Sequence, residues 1–205
     1  ALHLQSYLAH PPGERTAMEF GWREDDLEQT AQVSKSELAH THLLAGEWDA
    51  AHQMAEHEKT LGWSSSDNTQ GLVLSFFLAL LSGQPANALP SNLAQQWQAA
   101  LQNSVGFGYY GAGDKQENNV LKRLQRAYAD RLAQASMTGS QQKEILSWCL
   151  RVAKQRTDDI VGNQHRKSYY KAAVLTAACA ETLQRRGPGG EADALLDDAR
   201  NRFPR

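Results

Sequence analysis

The amino-acid sequence predicts an all-α fold, and three observations carry that expectation. Apolar residues recur at intervals of three and four along most of the chain, the spacing of one face of a helix. No alternating apolar and polar run of useful length appears, so strands leave no signature. The composition leans to Ala, Leu, Gln and Glu with few Val and Ile, which suits helices and withholds the β-branched residues that sheets prefer. A chain of 205 residues, 41% of them hydrophobic, is long enough to bury a real core as one domain or two small ones. The expected architecture is about eight main helices in antiparallel hairpins, closing into an irregular helical bundle or a short repeat array.

Residues 1–22 are the least regular. Leu2, Leu4, Tyr7 and Leu8 form a short helix at most, because Pro11-Pro12-Gly13 removes a donor and ends it. From residue 24 the chain reads as helix after helix. A first helix over 24–45 opens with acids suited to a helix N-terminus, places Leu27, Ala31, Ser34, Leu38 and Ala45 on one face, and stops at Gly46. With Trp48 at the turn, 49–61 makes a second. The apolar run 72–81 makes a third, ended by Gly83 and Pro85, and 92–102 a fourth. A glycine-rich polar stretch over 105–119 has no period of its own and divides the chain. Val120, Leu121, Leu124, Ala127, Tyr128 and Leu132 then set a helix over about 118–136. Gly139-Ser140 breaks it and caps 141–154; 164–185 follows; Gly187-Pro188-Gly189-Gly190 is a strong break before 191–202.

Charge divides at the same place. Residues 1–104 hold 4 Lys and Arg against 12 Asp and Glu, a net of −8; residues 105–205 hold 17 against 11, a net of +6. The organisation expected is an acidic helical half (1–104), the loop (105–119) and a basic helical half (120–205), packing as one domain or two. Opposite signs also permit head-to-tail self-association that salt would weaken. The longest apolar run, about ten residues, is roughly half of what spans a bilayer, so no membrane partner is expected. Nor is there a basic start leading into an apolar segment, the mark of a signal peptide. Cys149 and Cys179 lie on apolar helical faces and read as buried free thiols, which fits a cytoplasmic protein.

Few segments carry chemistry. Gly106, Gly108 and Gly111 spell G-x-G-x-x-G, but a helical segment precedes them where a nucleotide-binding fold needs a strand. The stretch reads as a linker, or as a binding loop presenting Phe107, Tyr109 and Tyr110. Four histidines fall within 40–57; His52 and Glu56 sit one turn apart, yet HQMAEH is one residue longer than H-x-x-E-H, and His57 also falls on an apolar line as a core histidine would. A structural or solvated cluster without metal is the reading. Adjacent carboxylates such as Asp25-Asp26, Asp158-Asp159 and Asp197-Asp198 point about 100° apart on a helix and make poor acid–base pairs. No cofactor and no enzymatic site is expected. The basic half is the strongest lead: Lys122, Arg123 and Arg126 share one helix, Arg151, Lys154 and Arg156 end another, and Arg166, Lys167 and Lys171 accompany Tyr169 and Tyr170. Cations beside stacking aromatics suit single-stranded nucleic acid.

Two segments share a spacing. Leu38, Ala39, Gly46, Trp48 and Ala51 within 32–60, and Ala180, Leu183, Gly187, Ala192, Leu196, Ala199 and Pro204 within 173–205, resemble tetratricopeptide helical hairpins, in which small residues let two helices approach and Gly and Pro end them. Residues 161–205 also resemble the helical C-terminal part of bacterial SWIM-type zinc-finger proteins, without the cysteines and histidine of the finger, so no metal role carries over. The resemblance and the absence of a catalytic constellation imply a non-enzymatic α-helical interaction protein with a protein partner. The alternative is a nucleic-acid-binding domain using the basic half.

Overall fold

The computed structural model describes residues 34–58, 60–63, 69–105, 114–187 and 189–203. Among these residues there are eight α-helices and no strand: α1 (Lys35–Ala45), α2 (Trp48–Glu56), α3 (Thr69–Leu81), α4 (Ser91–Val105), α5 (Asp114–Gln134), α6 (Gly139–Thr157), α7 (Tyr169–Arg186) and α8 (Glu191–Arg202). The all-α fold class is as expected. The readings made for residues 1–33, and the aromatic trio Phe107, Tyr109 and Tyr110, lie outside the described residues.

The first helix differs from its expected bounds. Ser34 is extended (φ −66°, ψ 154°) and is an N-cap, not a helical residue: its hydroxyl accepts from the Glu37 N–H while the Glu37 carboxylate accepts from the Ser34 N–H. This S-x-x-E capping box sets the start of α1. The buried face is displaced too. Ala39 and Leu43 are fully buried, whereas Leu38 is 40% exposed and Ala45 is exposed. Leu38, Ala39, Leu43, Leu44 and Ala45 leave apolar groups all round α1, so spacing alone does not choose its inner face. At the far end Gly46 holds φ +83°, and the Glu47 N–H reaches back to the His42 carbonyl at 2.9 Å. That bond closes a Schellman turn whose left-handed residue favours glycine. Arg131 of α5 donates to the Leu44 carbonyl and crowds the space beside Gly46, where a Cβ would meet its Nη1 at 3.3 Å.

α3 is the centre. Leu72 to Ala79 are buried without interruption, and the helix packs against α1, α2, α4, α6 and α7. Two of its polar residues bond inside: Ser75 donates to the Gly71 carbonyl at 2.7 Å and accepts from Gln96 at 3.1 Å, and Gln70 donates to the Ala55 carbonyl at 3.2 Å. Phe76 and Phe77 nucleate an aromatic cluster with Trp48, Trp97, Tyr128 and Trp148, ring centroids 5.5 to 6.4 Å from one or other phenylalanine. Leu61, expected inside the second helix, follows it instead as a buried residue packed onto Gly71, where an added Cβ would lie 3.0 Å from Leu61 Cδ2. Both sides of the charge division feed this one core, from Ala39 to Leu101 and from Tyr128 to Cys179. Cys149 and Cys179 are free and buried within it, and burial pushes both thiols up, Cys179 to about 12.

The later helices join this frame by specific bonds. Pro90, which precedes α4, has no side-chain oxygen to cap the helix. Glu181 of α7 supplies one: its carboxylate accepts from the Asn92 N–H at 3.2 Å, the Leu93 N–H at 2.8 Å and the Asn92 side-chain amide at 2.7 Å. A carboxylate at a helix N-terminus satisfies orphan donors and meets the positive end of the helix dipole. α8 closes the chain by packing Ala192, Leu195 and Leu196 on Ala180, Leu183, Leu146 and Leu150. Glu181→Ala is expected to lower stability by about 1–2 kcal/mol and the melting temperature by roughly 2–8 °C for a chain of this size. A melting curve superimposable on that of the native chain would remove this cross-helix cap from the account.

Candidate functional site

The end of α6 does not run straight into a loop. Its last turn widens into a π-helical turn (Asp158–Gly162), in which the His165 N–H bonds to the Ile160 carbonyl at 2.9 Å, and Gln164 takes φ +58° to reverse the chain. A 3₁₀ turn (Arg166–Ser168) leads into α7. Ile160 is fully buried and pins this corner, and the Thr157 hydroxyl, 3.2 Å from that of Thr176, ties α6 to α7. The corner returns Tyr170 and Lys171 to the neighbourhood of Arg156. Against it lies the segment 60–63: the Trp63 carbonyl accepts from Ser168 Oγ and from Lys171 Nζ, both at 3.2 Å, and the Trp63 ring stacks on His165 at 4.9 Å.

Between this corner and α4 is a cleft of about 280 Å³. Leu61 and Leu72 give it an apolar wall, Gln96, Asn103 and Ser104 line it from α4, and Arg156, Tyr170 and Lys171 line it from the corner. Among the described residues no Asp or Glu contributes to the lining. Arg156 is 8% exposed, its Nε has no hydrogen-bond partner, and its guanidinium makes no ion pair among the described residues. Burial lowers its proton affinity, with Tyr170 acting the other way. Lys171 is also held below its usual range, by burial first and by the Arg156 charge second. The cleft is thus a cationic pocket whose charge no carboxylate among the described residues neutralises.

The residues singled out from the sequence divide. Tyr170 and Lys171 reach the cleft; Tyr170 is 60% exposed and the Lys171 ammonium lies 5.9 Å from the centre of its ring. Arg166 and Lys167 are exposed on the 3₁₀ turn, Lys154 is exposed on α6, and Tyr169 is half-buried at the start of α7. Arg151 is exposed too, but it pairs with Glu56 of α2 at 2.6 Å. In the sequence Arg156 shares a basic helix end with Arg151 and Lys154; in the structure it alone of the three is buried, just before the π-helical corner, which has no sequence signature.

The histidines go four separate ways. His42 pairs with Glu47 at 2.6 Å, and His57 is exposed and bonds to the Gln53 carbonyl at 2.7 Å, so it is not a core histidine. His52 is the buried one, edge-on to Phe77 and Trp148. Among the described residues no group of three His, Cys, Asp or Glu is placed to hold a metal. His40 sits behind the cleft, with Nδ1 2.7 Å from the Tyr128 hydroxyl and Nε2 3.0 Å from Ser104 Oγ. Ser104 donates its own proton to the Leu101 carbonyl at 2.8 Å. Donation therefore runs from Tyr128 to His40 to Ser104 to Leu101, and the imidazole faces Ser104 as a donor, not as the base that would activate a nucleophile.

Burial lowers His40 from 6.5 to about 4, against a smaller opposing effect of Glu37. Because the folded value is depressed, the unfolded chain takes up a proton between pH 6.5 and 4 that the native chain refuses. Stability is therefore lost as pH falls through this window, by up to about 3 kcal/mol from this residue. Urea unfolding at pH 7.5 and 4.5 is expected to show a smaller acid loss in His40→Gln than in the native chain. Equal losses would mean that His40 titrates normally. The chain matches no protein-family model, no curated protein and no solved structure.

Proposed function

We propose that this chain is a non-enzymatic α-helical interaction protein that receives a segment of a protein partner at the cleft between α4 and the α6–α7 corner. The observation that carries the reading is the combination at the cleft mouth. Tyr170, 60% exposed, lines an open pocket with a buried cation and an apolar wall, and Trp63, 54% exposed, adjoins it through the bond of its backbone carbonyl to Lys171. Exposed aromatics beside a concavity are the usual anchors of a protein interface, because they bury much area for little lost side-chain freedom. Tetratricopeptide-like hairpins at 32–60 and 173–205 remain part of this proposal; they fall on α1–α2 and α7–α8, each a contacting pair.

A cytoplasmic setting belongs to the same reading and is supported by two buried thiols that are free. Among the described residues no helix is long and apolar enough to cross a membrane. Nucleic acid over a broad basic face is the weaker reading, since Arg151 is already occupied by Glu56. In a pull-down from native lysate, the chain is expected to retain a stoichiometric protein that a Trp63→Ala, Tyr170→Ala variant loses. Both side chains are exposed, so the variant keeps its fold, which a melting curve verifies. The same recovery from both proteins would overturn the cleft as the docking site.

A further inference from the structure

We propose that the cleft is a binding site for a phosphate monoester, held by Arg156 and Lys171 and carried on a phosphorylated side chain of the protein partner. This rests on the reading of the cleft as a partner site and adds the chemistry of what enters it.

The argument begins with Arg156. A cation 8% exposed, with its Nε buried and unpartnered and no counter-ion among the described residues, carries a desolvation cost that no opposite charge offsets. A methionine of similar length would fill the same space without that cost. The position makes sense if the counter-charge arrives with a ligand. Lys171 lines the same cleft and lies close enough to Arg156 for the guanidinium to depress its proton affinity. Its ammonium is steadied by the Trp63 carbonyl at 3.2 Å, so this cation is held before anything binds.

Two positive charges with no carboxylate in the lining among the described residues match a dianion. A phosphate monoester carries close to two negative charges at neutral pH and three strong acceptor oxygens, and Arg recognises it through paired N–H donors. Further donors line the cleft: among the described residues the Ser36 hydroxyl, the Asn103 amide and the Tyr170 hydroxyl are not engaged in hydrogen bonds. Size narrows the source. About 280 Å³ is at the bottom of the range for small-molecule pockets, enough for a phosphate and the side chain that bears it. A nucleic-acid backbone presents single charges in series, which asks for cations spread along a track, not two within one cleft.

The test uses the full chain with inorganic phosphate, O-phosphoserine and succinate as probes, followed by calorimetry and thermal shift at neutral pH. Phosphate and phosphoserine are expected to bind and to raise the melting temperature, with affinity that falls as salt is added; succinate is expected to bind at least tenfold more weakly. Lys171→Met is expected to weaken phosphate binding about tenfold. Arg156→Met is expected to abolish it while raising the melting temperature of the unliganded chain, which also shows that the variant folds. An Arg156→Met protein that melts lower, or that still binds phosphate, would overturn the site, as would a native chain blind to both phosphate probes. Succinate binding equal to phosphate would overturn the choice of anion. A phosphoserine peptide that binds more tightly than a 5′-phosphorylated oligonucleotide supports the protein source; the reverse order overturns it. If the native chain ignores phosphate and the aromatic double variant still loses its lysate partner, the docking site stands and only the phosphate is removed.

Discussion

α3 has no polar face, and the rest of the structure is arranged to satisfy it. An amphipathic helix needs a partner on one side only; a helix buried from Leu72 to Ala79 must be enclosed on every side. Five helices do this, and they come from both sides of the charge division. The requirement explains why an acidic half and a basic half share one core. Enclosing the phenylalanines of α3 removes far more apolar surface from water than the separation of screened surface charges can offset. The charge asymmetry is then absorbed locally, as in the Arg151–Glu56 pair joining α6 to α2.

Enclosure creates a second problem, because the helices that surround α3 must begin and end close to one another. Their termini bring unsatisfied backbone groups into contact with neighbours, and the neighbours answer. Arg131 of α5 meets the carbonyl end of α1, and Glu181 of α7 meets the amide end of α4. Each is a charge of the sign that the helix dipole asks for. These bonds also fix where α4 and α7 stand relative to each other, and so fix two walls of the cleft. The cleft is in this sense a consequence of how the central helix is covered.

What the sequence discloses follows the same logic. Helix existence was legible because spacing, glycine stops and proline breaks are local properties; α8 has the bounds expected for 191–202. The start of α1 was legible in principle, since Ser34 and Glu37 form a capping signature, but the acids upstream drew the helix too far back. The inner face of α1 was not legible, because apolar residues surround it and only packing against α3 selects Ala39 and Leu43. Tyr170 and Lys171 were found as part of a basic and aromatic group. The group itself did not assemble: Arg166 and Lys167 remain on the exposed turn. Arg156 is not legible because the cleft it lines is assembled by a π-helical widening and by a segment nearly a hundred residues earlier in the chain, through Leu61.

The energetics of that arginine bear on what kind of protein this is. The other buried polar side chains that define the fold are mostly answered in place: Thr182 by the Leu78 and Ala178 carbonyls, Ser75 by Gly71 and Gln96, Tyr128 by His40. The fold thus has the means to satisfy polar groups and applies them around the core. At the cleft it does the opposite, setting one cation beside another with no acid in the lining among the described residues. Uncompensated charge in a cleft raises the energy of the empty state relative to one holding an anion, so part of the affinity of the proposed anion would be stored in the fold beforehand. A protein selected for stability alone has no reason to keep that arrangement, whereas one selected to recognise an anion does.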